Sequence, residues 1–559
     1  MKRFAIFLIV LFCLSVPSGC AVTQVSFSGE NASSDALKYS LYGDADADGT
    51  VTAADAGAIL RVAASRRDPE KDRALLLACD VDYDGSVTSA DARTVFRAVN
   101  GLTELGEGTP HEHKWQKWKT EASATCVSYG VEKRCCKNDT SHFQIKYTAK
   151  LSHKLSLVEQ DIVKDRLIFR APFFVCSSCG GYFVDGNGKT ALVPDSVVYP
   201  VSEDKKAACD ALFNAEDPLV VQAAVIKDGV VDTVYCRGTA QRDTGREVND
   251  DTKYRVASIS KLVSCMVFFC LEQDGLVDRN ADISDYFGYE CRNPYYPDIV
   301  ITPLMIMSHK ATMIDSGPYS LGEDTLSSYS FYIPYEPGGF YSYSNTGFAV
   351  IQSICESVTG TEFDTLAKKY VFEPMGIDAA YIASGLKDQS NIGELTQLDI
   401  ETMLSRTPQS LGRGLNFAQG NLYISAKDYA SILCLLLNDG VSPGGKRILS
   451  SESIAAMEKT YFDGGNYRVA LGMLEQTNLF PGKTVYCHTG SSYGLYSTFV
   501  FCPEEKTGMV VIISGSSSAT DPETEIYTSC LGYIRALYPR NYTQNQKKIK
   551  IYLDLKKTL

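Results

Sequence analysis

Between residues 199 and 540 apolar positions recur at two periods, and the switch between them marks strands and helices. "VVQAAVIKDGVVDTVYCRGTA" (220–240) is rich in β-branched residues on both sides of a Lys-Asp-Gly break, which predicts two strands across a tight turn. "KLVSCMVFFCLEQDG" (261–275) is almost uniformly apolar and stops at Gly275, the pattern of a buried helix. "NLYISAKDYASILCLLLNDG" (421–440) sets Ser425 as a cap before apolar residues at helical spacing and closes at Gly440. "YGLYSTFVFCPEEKTGMVVIISG" (493–515) predicts an antiparallel hairpin. Strands at both ends with helices between them predict an α+β domain, an antiparallel sheet flanked by helices with a helical insertion.

The N-terminus has another pattern. Lys2 and Arg3 precede the apolar run "FAIFLIVLFCLSV", which is too short to cross a membrane comfortably. Residues 1–21 therefore read as a secretory signal cleaved after Ala21, with 22–39 as a linker. A competing reading acylates Cys20 in "VPSGC" and makes the chain a lipoprotein. No later segment is apolar over enough length to span a bilayer.

Residues 40–103 contain a duplication. "DADADGTVTAAD" runs over 44–55 and "DVDYDGSVTSAD" over 80–91. Each puts carboxylates at positions 1, 3, 5 and 12: Asp44, Asp46, Asp48 and Asp55, then Asp80, Asp82, Asp84 and Asp91. Gly49 and Gly85 stand where the chain must turn sharply. Thr50 and Ser86 offer a backbone carbonyl at position 7, and Thr52 and Thr88 a hydroxyl or a held water at position 9. This is the oxygen cage of a calcium loop. An EF-hand sensor would add a helix before each loop and usually Glu at position 12. The pair instead resembles a type I dockerin, the module that docks secreted enzymes onto cohesin domains of a cellulosome-like scaffold. The resemblance implies a small all-α module holding two Ca2+ ions and a cohesin partner. It also implies that Ala53, Ala54, Ser89 and Ala90 lie where the dockerin helices meet cohesin.

Composition adds limits. At 559 residues the chain is too long for one ordinary domain, and an apolar fraction of 45% allows sizeable cores. A net charge of −13 argues against nucleic-acid binding. Of the 18 cysteines, Cys265, Cys270 and Cys434 sit singly in apolar helical patterns and read as small core residues. Residues 104–198 form a Cys-containing spacer or small β module. There Cys176 and Cys179 have zinc-knuckle spacing, while Cys126, Cys135 and Cys136 are irregularly placed. A zinc-ribbon-like module with Zn2+ at Cys176 and Cys179 and a disulfide-pinned β module both stay open. The basic tail 541–559 carries no readable chemistry.

Candidate catalysis rests on "SISK". Ser258 and Lys261 share one helix face, and a serine beside an amine base is a workable nucleophile. Ser-x-x-Lys also occurs at Ser202/Lys205 and Ser384/Lys387, so motifs further along the chain must decide. Tyr343 and Asn345 come next in "YSN", then His488, Thr489 and Gly490 in "HTG". With "YRVASISK", "EPMGID" and "AQGNLYISAKDYA", this order resembles the serine β-lactamase and penicillin-binding superfamily. The branch is that of class C-like enzymes, DD-peptidases and related esterases. The resemblance spans residues 199–540 and implies a β-lactamase/transpeptidase-like hydrolase domain.

Physically, a buried lysine sheds its proton near neutral pH, and a tyrosine beside cations is depressed. Lys261 and Tyr343 would share the Ser258 proton and pass it to the leaving group, with Asn345 orienting the substrate amide or Lys261. His488 replaces the lysine of the commoner "KTG", so a fixed cation for a substrate carboxylate is lost unless His488 is protonated. Thr489 offers a hydroxyl to the substrate. Gly490 lets the strand approach closely, and the N–H groups of Ser258 and Ser491 form the oxyanion hole. His309, in "LMIMSHKATMID", reads as structural.

The expected protein is a secreted, extracellular serine hydrolase forming an acyl-enzyme on an amide or ester, docked through its dockerin and needing no cofactor for catalysis. A D-alanyl-D-alanine-like peptide, an acyl ester on a plant polysaccharide and, last, a β-lactam are the candidate substrates. The alternative is a catalytically degenerate binding module of a cellulosome-like complex.

Overall fold

The computed structural model describes residues 201–538 apart from 316–320, 322–324, 408–410, 413–416, 444, 466 and 481. Of the first 200 it describes 23–24, 41–45, 50–64, 73–81, 83, 86–87, 89–99, 105, 113–127, 130–138, 142–164 and 167–200. The segment read as a signal, Cys20 and the basic tail lie outside the described residues, as does most of the segment read as a linker. The chain divides into two units, Met1–Lys154 and Leu155–Leu559.

In the first unit each acidic loop runs into a helix, Ala53–Ala64 and Ser89–Val99. A further helix, Arg73–Cys79, leads into the second loop, a feature the loop pattern alone did not predict. Ile59, Val62, Leu76, Val87 and Val95 make its core. Toward the end of the unit Lys119–Ala122, Gly130–Cys135 and Phe143–Thr148 form an antiparallel sheet.

The second unit opens with two small antiparallel sheets. In one of them Phe173–Cys176 pairs with Leu155–Val158 and Tyr182–Phe183. Cys176 ends that strand, and in the tight turn after it the Gly180 N–H bonds the Cys176 carbonyl at 2.8 Å. Cys176 is buried and Cys179, within the turn, half-buried.

Among the described residues nine strands then form one antiparallel sheet. Its centre is Val220–Lys227 beside Thr507–Ser514, then Leu495–Cys502 and Val485–Ser492. The Lys-Asp-Gly break is a hairpin turn with Asp228 and Gly229 both at positive φ, the geometry that matches strand twist. Side chains alternate between two cores. Val221, Ala223, Val500 and Val511 face helices Glu203–Glu216 and Thr528–Leu537. Ala224, Ile226, Phe499 and Ile512 face the helical part, led by Ser260–Gln273. That helix is buried along almost its whole length, with Cys265 and Cys270 in its core face, and Cys434 is likewise buried in helix Ala426–Leu437. Ser425 caps the latter by accepting from the Asp428 N–H at 3.0 Å. Sheet, hairpins and interposed helices have the arrangement expected from the residue pattern. Among the described residues no helix is long and apolar enough to cross a membrane.

Candidate active site

The sharpest backbone feature near the sheet is the approach to Ser258. Ala257 has φ +53, a left-handed conformation that a non-glycine residue holds only when its surroundings enforce it. The enforcement is visible on both sides. The Val256 N–H bonds the Leu422 carbonyl at 2.9 Å, and Ser497 Oγ donates to the Val256 carbonyl at 2.7 Å. A single 3-10 turn, Ala257–Ile259, then carries Ser258 into helix Ser260–Gln273.

Gly490 lies directly beneath. A Cβ there would stand 2.6 Å from the Val256 carbonyl and 3.0 Å from the Ser258 nitrogen, so only glycine lets the strand pass. The neighbouring strand Met473–Gln476 pairs only as far as Cys487. Past that point, from His488 to Ser492, strand Val485–Ser492 keeps its ladder to Leu495–Cys502 and presents a local edge on the other side.

Lys261 is wholly buried, one turn along the helix from Ser258. Its Nζ lies 3.1 Å from Ser258 Oγ, 2.7 Å from Asn345 Oδ1 and 2.7 Å from the Gln419 carbonyl. Burial brings its pKa down to about 7, against the pull of the Asp315 carboxylate and with a smaller push from Arg255. Asn345 Oδ1 and the Gln419 carbonyl only accept, so in the neutral amine they take its two N–H groups. The lone pair is then left for the Ser258 hydroxyl.

Tyr343 completes the contact, its hydroxyl donating to Ser258 Oγ at 3.0 Å. The residue is 37% exposed, but its hydroxyl is turned toward Ser258. Burial of that hydroxyl raises the phenol pKa, and the Ser258 bond offsets only part of the rise. The expected depression of this tyrosine is therefore reversed, and Tyr343 holds its proton at neutral pH. Desolvation leads, and the charges of Tyr341, Asp315 and Tyr527 push the phenol the same way.

Asn345 opens helix Asn345–Thr359. Asp315 accepts from its backbone N–H at 2.6 Å and its side-chain amide at 2.7 Å, and from the Thr346 N–H at 3.0 Å. The amide orientation is thereby fixed, with Oδ1 toward Lys261. Of the two roles open to Asn345, the geometry supplies the one on Lys261.

His488 is buried, and burial, then the charge of Lys261, lowers its pKa to about 4. Its Nδ1 lies 2.6 Å from the Thr489 carbonyl. A carbonyl only accepts, so Nδ1 carries the proton and Nε2 is the acceptor. The neutral ring supplies no cation at neutral pH. A cavity of about 350 Å³ opens onto Ser258, with Tyr343, His488, Thr489 and Ser491 on its walls.

His309 belongs to this wall as well. It stacks on Tyr343 with centroids 4.4 Å apart, and its Nδ1 accepts from the Ser344 N–H at 3.1 Å. Among the described residues its buried Nε2 has no partner. Burial, then Lys261 and His488, keeps the ring neutral. Asp315, the Gln419 carbonyl and Glu525, which also lines the cavity, were not singled out from sequence. A backbone carbonyl leaves no residue signature, and the two acids reach the site only through the tertiary fold.

A family model described as beta-lactamase matches residues 214–529, more than half of the chain. The chain belongs to the beta-lactamase family. A second model, the dockerin type I domain, matches residues 42–100. Among beta-lactamase relatives, penicillin-binding protein 4 of Amycolatopsis lactamdurans is 25% identical over 331 residues, 55% of this chain and 84% of that protein. A D-aminopeptidase of Brucella anthropi is 23% identical over 321 residues, 55% of this chain and 58% of that one. The class C beta lactamase structure from Rhodobacter sphaeroides superposes with a TM-score of 0.48 at 18% identity, covering 60% of this chain and 98% of the other.

The dockerin loops are described in part. Asp46, Asp48, Asp82 and Asp84 lie outside the described residues, as do Gly49, Gly85 and Thr88. Asp44, Asp55, Asp80 and Asp91, the first and last carboxylates of each loop, are buried. Asp55 accepts from the Ala45 N–H at 2.8 Å, and Asp91 from the Val81 N–H at 2.9 Å, so the two loops repeat one clamp. Thr50 and Ser86 lie in the backbone between these ends. Type I dockerins generally bind calcium, and two pairs of buried carboxylates fit a hard cation, whose charge offsets their desolvation.

Proposed function

We propose that this protein is an extracellular serine hydrolase that works through an acyl-enzyme on an amide or ester and docks to a cohesin-bearing scaffold through its dockerin. Ser258 is the nucleophile. The observation that carries this reading is the position of the Lys261 amine, whose two N–H groups face carbonyl acceptors while its third direction faces Ser258 Oγ.

Lys261 takes the hydroxyl proton as Ser258 Oγ bonds to the acyl carbon. The carbonyl oxygen becomes an oxyanion facing the N–H groups of Ser258 and Ser491. When the bond to the leaving group breaks, Tyr343 donates its proton to the departing nitrogen or oxygen and is reprotonated from Lys261. Water then attacks the acyl ester. Its proton goes to Lys261 and its hydroxide to the acyl carbon; the bond from that carbon to Ser258 Oγ then breaks, and Lys261 returns the proton to Oγ. Neutral His488 orients rather than charges the substrate, and Thr489 adds a hydroxyl beside the acyl group. Without a fixed cation at His488 for a substrate carboxylate, the esterase type fits better than the DD-peptidase type or β-lactam hydrolysis.

In the dockerin, Asp44, Asp55, Asp80 and Asp91, with Asp46, Asp48, Asp82, Asp84 and the backbone at Thr50 and Ser86, would hold two Ca2+ ions. The ions supply charge that lets the two loops fold. Intact-mass measurement after incubation with a p-nitrophenyl ester tests the catalytic reading. An acyl adduct on the wild type and none on Ser258→Ala is expected; equal labelling of both would overturn it.

A further inference from the structure

Part of the cavity wall is formed by the loop between strand Thr507–Ser514 and helix Thr528–Leu537. Glu525 and Tyr527 line the cavity from this loop, beside Tyr341. Glu525 is held there by force of geometry. Its φ is +58 in a residue with a full side chain. The loop closes on itself: the Glu525 N–H bonds the Asp521 carbonyl at 2.8 Å, and the Asp521 N–H bonds the Ile526 carbonyl at 2.8 Å. The Asp521 carboxylate accepts from the Thr524 N–H at 3.0 Å and from the Thr524 hydroxyl at 3.0 Å. Gln476 Nε2 bonds the Thr524 carbonyl at 2.6 Å, which registers the loop against strand Met473–Gln476. Tyr527 pairs with the Ser491 side chain, which ties the loop to strand Val485–Ser492 beside Ser258. Strain enforced this thoroughly, on a residue facing a reactive cavity, points to function.

Charge supplies the second argument. Among the described residues Glu525 makes no ion pair. The other ionisable groups on this cavity leave it unbalanced. His309 and His488 are neutral, and Lys261 sits behind Ser258 near half-protonation. The Tyr341 phenol is raised first by burial and then by the charges of Tyr467 and Glu525, so the field of this carboxylate reaches the cavity wall. An exposed carboxylate on the wall of a pocket with no fixed cation, carried on a backbone held in place, attracts a positive group and repels a negative one.

We propose that Glu525 selects substrates bearing a protonated amine close to the scissile carbonyl, the chemical class of aminoacyl amides and esters. The inference rests on the hydrolase reading and narrows its substrate. It also means that a substrate carboxylate on this side of the acyl group is disfavoured.

The test compares three anilides with one leaving group, alanyl, N-acetylalanyl and N-succinylalanyl p-nitroanilide, with p-nitrophenyl acetate as a general ester probe. The full chain should favour them in the order amine, neutral, anion. Glu525→Gln should lower the kcat/KM ratio of amine to neutral substrate by about fivefold, the size expected for one partly exposed ion pair. Glu525→Lys should reverse the order of the amine and succinyl substrates. A ratio that neither variant moves, or acetate turnover with no preference among the anilides, overturns the inference and leaves the hydrolase standing. Turnover that survives Ser258→Ala, or none with any probe, overturns the hydrolase reading itself and the inference with it.

Discussion

Asp315 grips Asn345 at two points, the backbone N–H at 2.6 Å and the side-chain amide at 2.7 Å, and so aims Asn345 Oδ1 at Lys261. The same carboxylate raises the pKa of Lys261 against the effect of burial. Replacing Asp315 by Asn removes a negative charge and loosens the amide. Lys261 should then titrate lower, which moves the acid limb of the kcat/KM profile below its wild-type position near about 7. kcat should fall by about tenfold or more, as when a positioning contact to a general base is lost. A profile whose limb stays in place would show that the Asp315 charge does not reach the amine.

Lys261 carries a stability cost that can be measured. Its folded pKa of about 7 lies below its ordinary value, so between about 7 and 10.5 the unfolded chain binds the extra proton. Wild-type stability should therefore rise with pH across that window. Lys261→Met removes this dependence, so its stability relative to wild type should be most favourable at pH 7 and below and decline toward pH 10. Activity should drop by about 10²–10⁴-fold. Denaturant unfolding of both proteins at several pH values checks the trend, and parallel curves would refute it.

Gly490→Ala tests the close strand approach. The new Cβ would fall 2.4 Å from Ser497 Oγ and 2.6 Å from the Val256 carbonyl. A loss of about 2–4 kcal/mol is expected, because the clash is with backbone and with the hydroxyl that pins the approach to Ser258. Thermal melting and acylation should fall together. An unperturbed melt would mean that the strand can step aside.

Calcium removal should separate the two functions of the chain. Chelation is expected to reduce helical circular dichroism, through loss of Ala53–Ala64 and Ser89–Val99, and to abolish cohesin binding. Hydrolysis of p-nitrophenyl acetate by the same sample should persist. Asp55→Ala should weaken calcium uptake at the first loop, since Asp55 also clamps the Ala45 N–H. Calorimetry showing no uptake by the full chain would sink the calcium reading.

The residues that sequence pattern could name were those with a side chain in a recognisable phrase: Ser258, Lys261, Tyr343, Asn345 and His488. The fold brings Ser258, Tyr343 and His488 to one cavity, with Lys261 bonded behind Ser258 and Asn345 bonded to Lys261. Strand and helix positions in the catalytic unit were equally legible, because the alternation of Ala223 with Ala224 and of Val511 with Ile512 divides two real cores. What stayed hidden depended on distance in the chain or on burial of one atom. The Gln419 carbonyl meets Lys261 from 158 residues away. Asp315 sat in a phrase whose unusual residues masked its role. The Tyr343 phenol shifted opposite to expectation because burial of its hydroxyl outweighs the bond to Ser258. Helix Arg73–Cys79 was missed because seven residues give too short a window for a period to show.

The central sheet joins strand Val220–Lys227 to Thr507–Ser514, and the Lys205 ammonium bonds the Leu537 carbonyl at 2.9 Å. The beginning and end of the catalytic unit thus close on each other, and the last helix seals one face of the sheet. The central sheet of such a unit cannot be completed until strand Thr507–Ser514 and the helix after it have been made. Emerging from a ribosome or an export channel, it would stay open and protease-sensitive through most of its synthesis, then close in one late, long-range step.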